Sequence, residues 1–256
     1  MPRKHTLRQS QFPYHVVARS HNKQWFPLPI ADMWQIYLDQ LAFVQRSEEV
    51  RVYAFVLMHN HFHLLIRTPR SNIDRVMYWI MKNSTQKVHK RKNVINSIYG
   101  SRYKASVLSK QEYQLNAYKY VLRNPVVVNL CQQVEDYKYS SYHYSWNKTN
   151  LPIALSPLGF GDYFTEERII NRWLNLEYVD RESKSIKTGL DRPEFRYGKD
   201  NNRGGKEVAP AIFHPDNIGP SGPGTTSCQK AHQSPRSTKT KYSFFNAETT
   251  DCEPGT

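Results

Sequence analysis

An α+β fold, an antiparallel sheet backed by helices, follows from three features of this sequence. Apolar residues recur at the strand period of two and the helix period of 3.6, in the order β-α-β-β-α-β-α. Composition shifts near residue 184, beyond which lie eight of the eleven glycines and seven of the fifteen prolines. One apolar run, VYAFVLMHNHFHLLIRTP (residues 52–69), is interrupted by His59, His61 and His63 at alternate positions.

The elements can be justified in order. FPYHVVARS is a strand candidate by its β-branched and aromatic content. ADMWQIYLDQLAFVQRS sets Met33, Ile36, Tyr37, Leu41 and Val44 at helical spacing. VRVYAFVLM and HFHLLIRT read as neighbouring strands with a turn at Met58 to Asn60. SNIDRVMYWIMKNSTQKVHKRK reads as a helix with Ser71 or Asn72 as its cap. RYKASVL is a short strand. SKQEYQLNAYKYVLRN is a helix expected to end near Asn124, because a proline disfavours helical geometry in the residue before it. This order predicts a ferredoxin-like sheet backed by helices. A further helix is expected in TEERIINRWLNLEY.

Charge narrows the function. The chain of 256 residues carries a formal net charge of +14. From His61 to Arg123 thirteen Lys and Arg face two acidic residues, Asp74 and Glu112, a local excess of +11. Any such cluster can be a solvated face, but this one is interleaved with Tyr78, Trp79, Tyr99, Tyr103, Tyr113, Tyr118 and Tyr120. Cations for phosphates and rings for unstacked bases suit a nucleic-acid strand. Lys87, Lys90, Arg91, Lys92, Arg102 and Lys104 are the candidate phosphate contacts. No window approaches the ~20 apolar residues of a membrane helix, so no membrane partner is expected. The N-terminus lacks the apolar core of a secretory signal. Cys131, Cys228 and Cys252 are too sparse for a disulfide framework, and a cytoplasmic location is expected.

The histidines carry the chemistry. On one strand, His61 and His63 share a face and stand close enough to bind one divalent metal. An isolated His-x-His is a weak signal, more often satisfied by hydrogen bonds near a sheet end. The context strengthens it. VYAFVLMHNHFHLLIRTP, followed by RYKASVL, YVLRNPVVVNL and YKYSSYHYSW, resembles the single-tyrosine HUH transposases, and within them the REP-associated tyrosine transposases. The resemblance spans roughly residues 10–147 and rests on the order and spacing of its motifs. It implies the HUH nuclease fold, with His61 and His63 as metal ligands, Tyr120 as nucleophile and Asn124 completing the metal shell. The family usually has proline where this chain has His59.

The resemblance further implies a metal-dependent endonuclease and strand-transferase that uses Mg²⁺ or Mn²⁺ and needs no ATP. Its substrate would be single-stranded DNA, on hairpin or palindromic repeats, and it would act as a monomer or homodimer. The rival reading is a domesticated, non-catalytic protein that binds single-stranded nucleic acid. The expected domains are a transposase-like domain at 1–147, a helical extension at 148–183 and a low-complexity, disordered tail at 184–256.

Overall fold

Alternation decides which residues of each strand are buried. In β1 (Tyr14–Arg19), Tyr14, Val16 and Ala18 are each at most 1% exposed and face one side, while His15, Val17 and Arg19 take the other. The computed structural model describes residues 6–159, 166–200 and 206–210, which fall within one unit. It adds α1 (Ile30–Glu48), β2 (Arg51–Leu57), β3 (His61–Arg67), α2 (Ile73–Arg91), β4 (Lys104–Val107) and α3 (Gln111–Val127). The strands form one antiparallel sheet in the order β2-β3-β1-β4, the ferredoxin-like arrangement that the element order predicts.

Helices cover both faces of that sheet. The face carrying Val16, Phe62, Leu64 and Phe55 packs against α1 and α2. All five residues that set the helical spacing of α1 (Met33, Ile36, Tyr37, Leu41 and Val44) are buried there. The opposite face carries Ala54, Val56 and Leu65, and packs against Ala117, Val121 and Leu122 of α3. Between β2 and β3 the chain turns at Met58 to Asn60, closed by the Met58 amide donating to the His61 carbonyl at 2.8 Å. Asn72 caps α2 by position only; its amide instead donates to Glu48 at 2.8 Å.

Both sheet edges are partly covered, which reduces the exposed ladder groups that invite aggregation. Along β2, the Tyr-Ser-Ser-Tyr segment forms a bridge at Ser140, and the Phe55 amide donates to Ser141 Oγ at 2.9 Å. Along β4, Val107 donates to the Pro193 carbonyl and accepts from the Phe195 amide, both at 2.9 Å.

Two expectations are corrected. The helix α3 does not end near Asn124 but runs on to Val127 with Pro125 inside it. Within the last turn a proline forfeits a single ladder bond, and Pro125 is buried there. The boundary at 184 is also wrong. It falls inside α6 (Asp180–Leu190), which follows α4 (Ser141–Trp146) and α5 (Glu167–Asn175). Ile186, Phe195 and Tyr197 are buried against α3, so residues to at least 197 belong to the folded unit. Of the remainder of the expected tail, residues 201–205 and 211–256 lie outside the described residues.

This packing has a measurable cost when undone. Phe195 is fully buried, with its ring 4.7 Å from Tyr113 and 5.2 Å from Tyr197. Phe195→Ala is expected to destabilise the fold by ~3–5 kcal/mol in urea unfolding. A truly disordered tail would give no change.

Candidate active site

The face opposite α1 and α2 is where the sheet departs from an apolar pattern. Its central strands present His15 and Arg19 from β1, and His61 and His63 from β3. Val17 pairs with both His63 and Lys104, which brings β4 to the same region. His15 lies diagonally across the ladder from His63, because its direct partner is Leu65. The two rings are near parallel at 5.2 Å, and His15 Nε2 meets His63 Nδ1 at 2.9 Å. One proton is shared between those nitrogens, whichever ring donates it.

The histidines are therefore oriented from behind. His61 Nδ1 meets Asn60 Oδ1 at 2.6 Å, and its ring stands 5.0 Å from that of His63. His63 Nε2 is buried without a hydrogen-bond partner. Such an orphaned nitrogen costs free energy unless something outside the chain completes it. Burial lowers all three imidazoles: His15 to about 3, His61 to about 4, and His63 well below its usual value with His15 adding to the effect. All are neutral at pH 7, the state in which an imidazole can donate a lone pair to a metal. Among the described residues, no group of three or more His, Cys, Asp or Glu is arranged to hold a metal ion.

That burial has an acid cost with a definite sign. Near pH 6.5 the unfolded chain begins to take up protons that folded His61 does not bind until about 4 and His15 until about 3. Stability is thus whole above 6.5 and falls as pH drops toward 4, by up to about 1.4 kcal/mol per pH unit for each histidine. Urea midpoints from pH 7.5 to 4.5 are expected to show this slope, and His15→Gln to reduce it.

Tyr120 comes from α3. Its ring stands edge-on to His63 at 6.0 Å and to His15 at 6.3 Å. Burial raises its pKa, Asp191 raises it further, and Arg19 opposes the rise. The hydroxyl is a phenol at neutral pH. Tyr120, His15 and His63 border a cavity of about 330 Å³ that also touches Arg19, Arg102, Lys104 and, from the end of α6, Lys187 and Asp191. Four cations around one carboxylate suit a phosphate group.

The residues expected from sequence are only partly brought together. His61, His63 and Tyr120 meet on one face, and Arg102 and Lys104 line the adjoining cavity. Asn124 does not line it; its amide donates to the Tyr120 carbonyl at 2.7 Å. Lys87, Lys90, Arg91 and Lys92 belong to α2 and its end, across the sheet from the histidines. Three of these four are engaged there: Lys87 with Asp39 at 2.7 Å, Arg91 with Asp32 at 3.3 Å and Lys92 with the Pro27 carbonyl at 2.8 Å. His59 stays in the turn and stacks on the exposed Trp25 at 4.6 Å. Sequence reasoning missed His15, Arg19, Lys187 and Asp191. The first two had a signal, since positions 15, 17 and 19 alternate on a strand facing the His-x-His pair.

The site thus sits on a four-stranded antiparallel sheet of ferredoxin-like α+β fold, with paired histidines on one face and a tyrosine-bearing helix packed against it. Residues 8–124 match the model of the family described as "Transposase IS200 like". The structure of a REP-associated tyrosine transposase bound to a REP hairpin is similar at a TM-score of 0.50 and 17% identity, over 61% of this chain and 93% of that one. At that identity the likeness is one of fold. A putative transposase from Deinococcus radiodurans aligns at a TM-score of 0.33 and 16% identity, over 46% of this chain and 95% of that one. Among curated proteins nothing matches. No helix among the described residues is long and apolar enough to cross a membrane.

Proposed function

We propose that the protein is a metal-dependent single-stranded DNA endonuclease and strand-transferase of the REP-associated kind, with Tyr120 as nucleophile. The observation that carries this reading is the ring of Tyr120, edge-on to His63 at 6.0 Å beside a cation-lined cavity of phosphate size. His61 and His63 would hold Mg²⁺ or Mn²⁺. Their donor chemistry fits: both are neutral, each has one nitrogen oriented by a partner, and His63 Nε2 is buried and unpaired. Imidazole nitrogens favour Mn²⁺ over Mg²⁺. The ion would polarise the scissile phosphate and offset charge developing in the transition state.

The protein's own groups do the rest. Arg19, Arg102 and Lys104 orient the phosphate beside Tyr120. The Tyr120 hydroxyl oxygen attacks phosphorus as the bond to the 3′-oxygen breaks. The phenol proton leaves to solvent, and the departing 3′-oxygen takes one up as a hydroxyl. The product is a 5′-phosphotyrosine, one difficult step divided in two. Attack by a 3′-hydroxyl reverses the step and joins strands, so no ATP is consumed.

The domesticated, non-catalytic binder keeps one observation in its favour. Asn124, the expected third ligand, does not line the cavity that His63 and Tyr120 border. Labelled hairpins from the DNA flanking the gene, mixed with the full chain and Mn²⁺ and run on a denaturing gel, separate the two. A label retained by the protein supports the nuclease; tight binding without retention supports the binder.

A further inference from the structure

A second cleft, of about 640 Å³, opens between α2 and the segment leading into β4. Its size falls within the ~300–1,000 Å³ usual for small-ligand sites. Tyr78 stands on its rim with half its surface exposed, and Lys82 Nζ lies 5.2 Å from the Tyr78 ring and 5.5 Å from that of Trp79. Tyr99 lines the cleft with its hydroxyl already bonded to Ser84 and Tyr37, each at 2.7 Å, so it offers a ring rather than a free polar group. The acidic group in the lining, Asp74, is paired with Arg8 at 2.6 Å and accepts from the Tyr103 hydroxyl at 2.7 Å. The rest of the lining mixes the rings of Tyr78, Tyr99 and Tyr103 and the cations Lys82 and Arg102 with neutral polar side chains such as Gln86 and Asn96, a combination that suits a base carrying phosphates.

The cleft adjoins the cavity at Tyr120 through two shared lining residues. Ser101 and Arg102 line both, so a strand passing them would run round the edge of β4 from one to the other. Arg102 additionally lies over the Tyr103 ring at 5.9 Å. Lys87, Lys90, Arg91 and Lys92, on α2 and its end, thus miss the nucleophile, while Tyr78 and Lys82 of the same helix line this second cleft.

We propose that this cleft is a second DNA subsite. It takes one unpaired base of the strand whose phosphate lies at Tyr120, stacked on Tyr78, with Lys82 and Arg102 at the neighbouring phosphates. The inference rests on the reading of Tyr120 given above for the identity of that strand. It assigns the cleft a role in choosing where the strand is cut, since a base seated there fixes the register of the phosphate.

The test uses the full chain and 20-nucleotide single strands from the DNA beside the gene, with 2-aminopurine placed at each position in turn. Binding is expected to quench the fluorescence at one position, or two adjacent ones, near the cleaved bond. Tyr78→Ala should restore that signal and weaken binding about 5- to 100-fold, the range for losing one stacked base. Tyr78→Phe should keep the quench, because the ring remains. Lys82→Glu, on an exposed side chain, should weaken binding without altering the fold. An unchanged quench profile and unchanged binding in Tyr78→Ala and Lys82→Glu would overturn the subsite. Adduct formation is followed in parallel on a gel. Its absence from the unmodified protein would overturn the nuclease reading, while the quench profile would still decide the cleft.

Discussion

Tyr120→Phe is expected to abolish the covalent protein–DNA adduct while leaving single-strand binding within about twofold. The substitution removes the one oxygen proposed to attack phosphorus and keeps the ring that packs edge-on to His15 and His63. Among the described residues that hydroxyl has no hydrogen-bond partner, so its loss should scarcely move the melting temperature. The neighbouring Tyr118 sits in a different environment, packed with the α3 and α5 cluster, and should not substitute. An adduct surviving in Tyr120→Phe, mapped to another residue, would sink the assignment. Because burial and Asp191 hold Tyr120 in its phenol form, adduct yield in the unmodified protein should rise with pH above neutrality. Asp191→Asn, which removes one opposing charge, should increase the yield at pH 7.

The second large effect concerns the metal. Saturating Mn²⁺, at about 100 times its dissociation constant, should stabilise the unmodified protein by ~2.7 kcal/mol. His61→Ala should lose that shift together with the adduct. His61 is only half-buried, so truncation there is milder than at His63, whose removal would strand His15 in the interior. His15→Gln addresses the orienting contact itself. An amide can still meet His63 Nδ1, but it fixes the ring less firmly, and loss of such a supporting contact typically costs 10- to 100-fold in metal affinity. A thermal shift of equal size in His61→Ala and the unmodified protein would place the ion elsewhere.

Much of the fold was legible because it is local. The strand and helix periods give the element order, and the two-residue alternation alone puts His61 and His63 on one face. Pro125 misled because the rule for the residue before a proline is a preference of the isolated chain, and burial of Pro125 in the last turn of α3 overrides it. The segment after 184 misled in the same direction. Its glycines and prolines spoil every periodicity, yet two backbone bonds to Val107 and the rings of Phe195 and Tyr197 are enough to dock it.

The sequence by itself determined the order of elements, the histidine pair and, through family resemblance, the tyrosine to watch. Tertiary structure decided which charges matter. The run KVHKRK and the pair Arg102 and Lys104 read alike along the chain, but a sheet has two faces, and strand pairing puts only the second group beside Tyr120. It also decided that His15 supports His63. Alternation could put His15 on one face of β1, but not against His63, because that partner lies 48 residues away and is chosen by the register of β1 against β3.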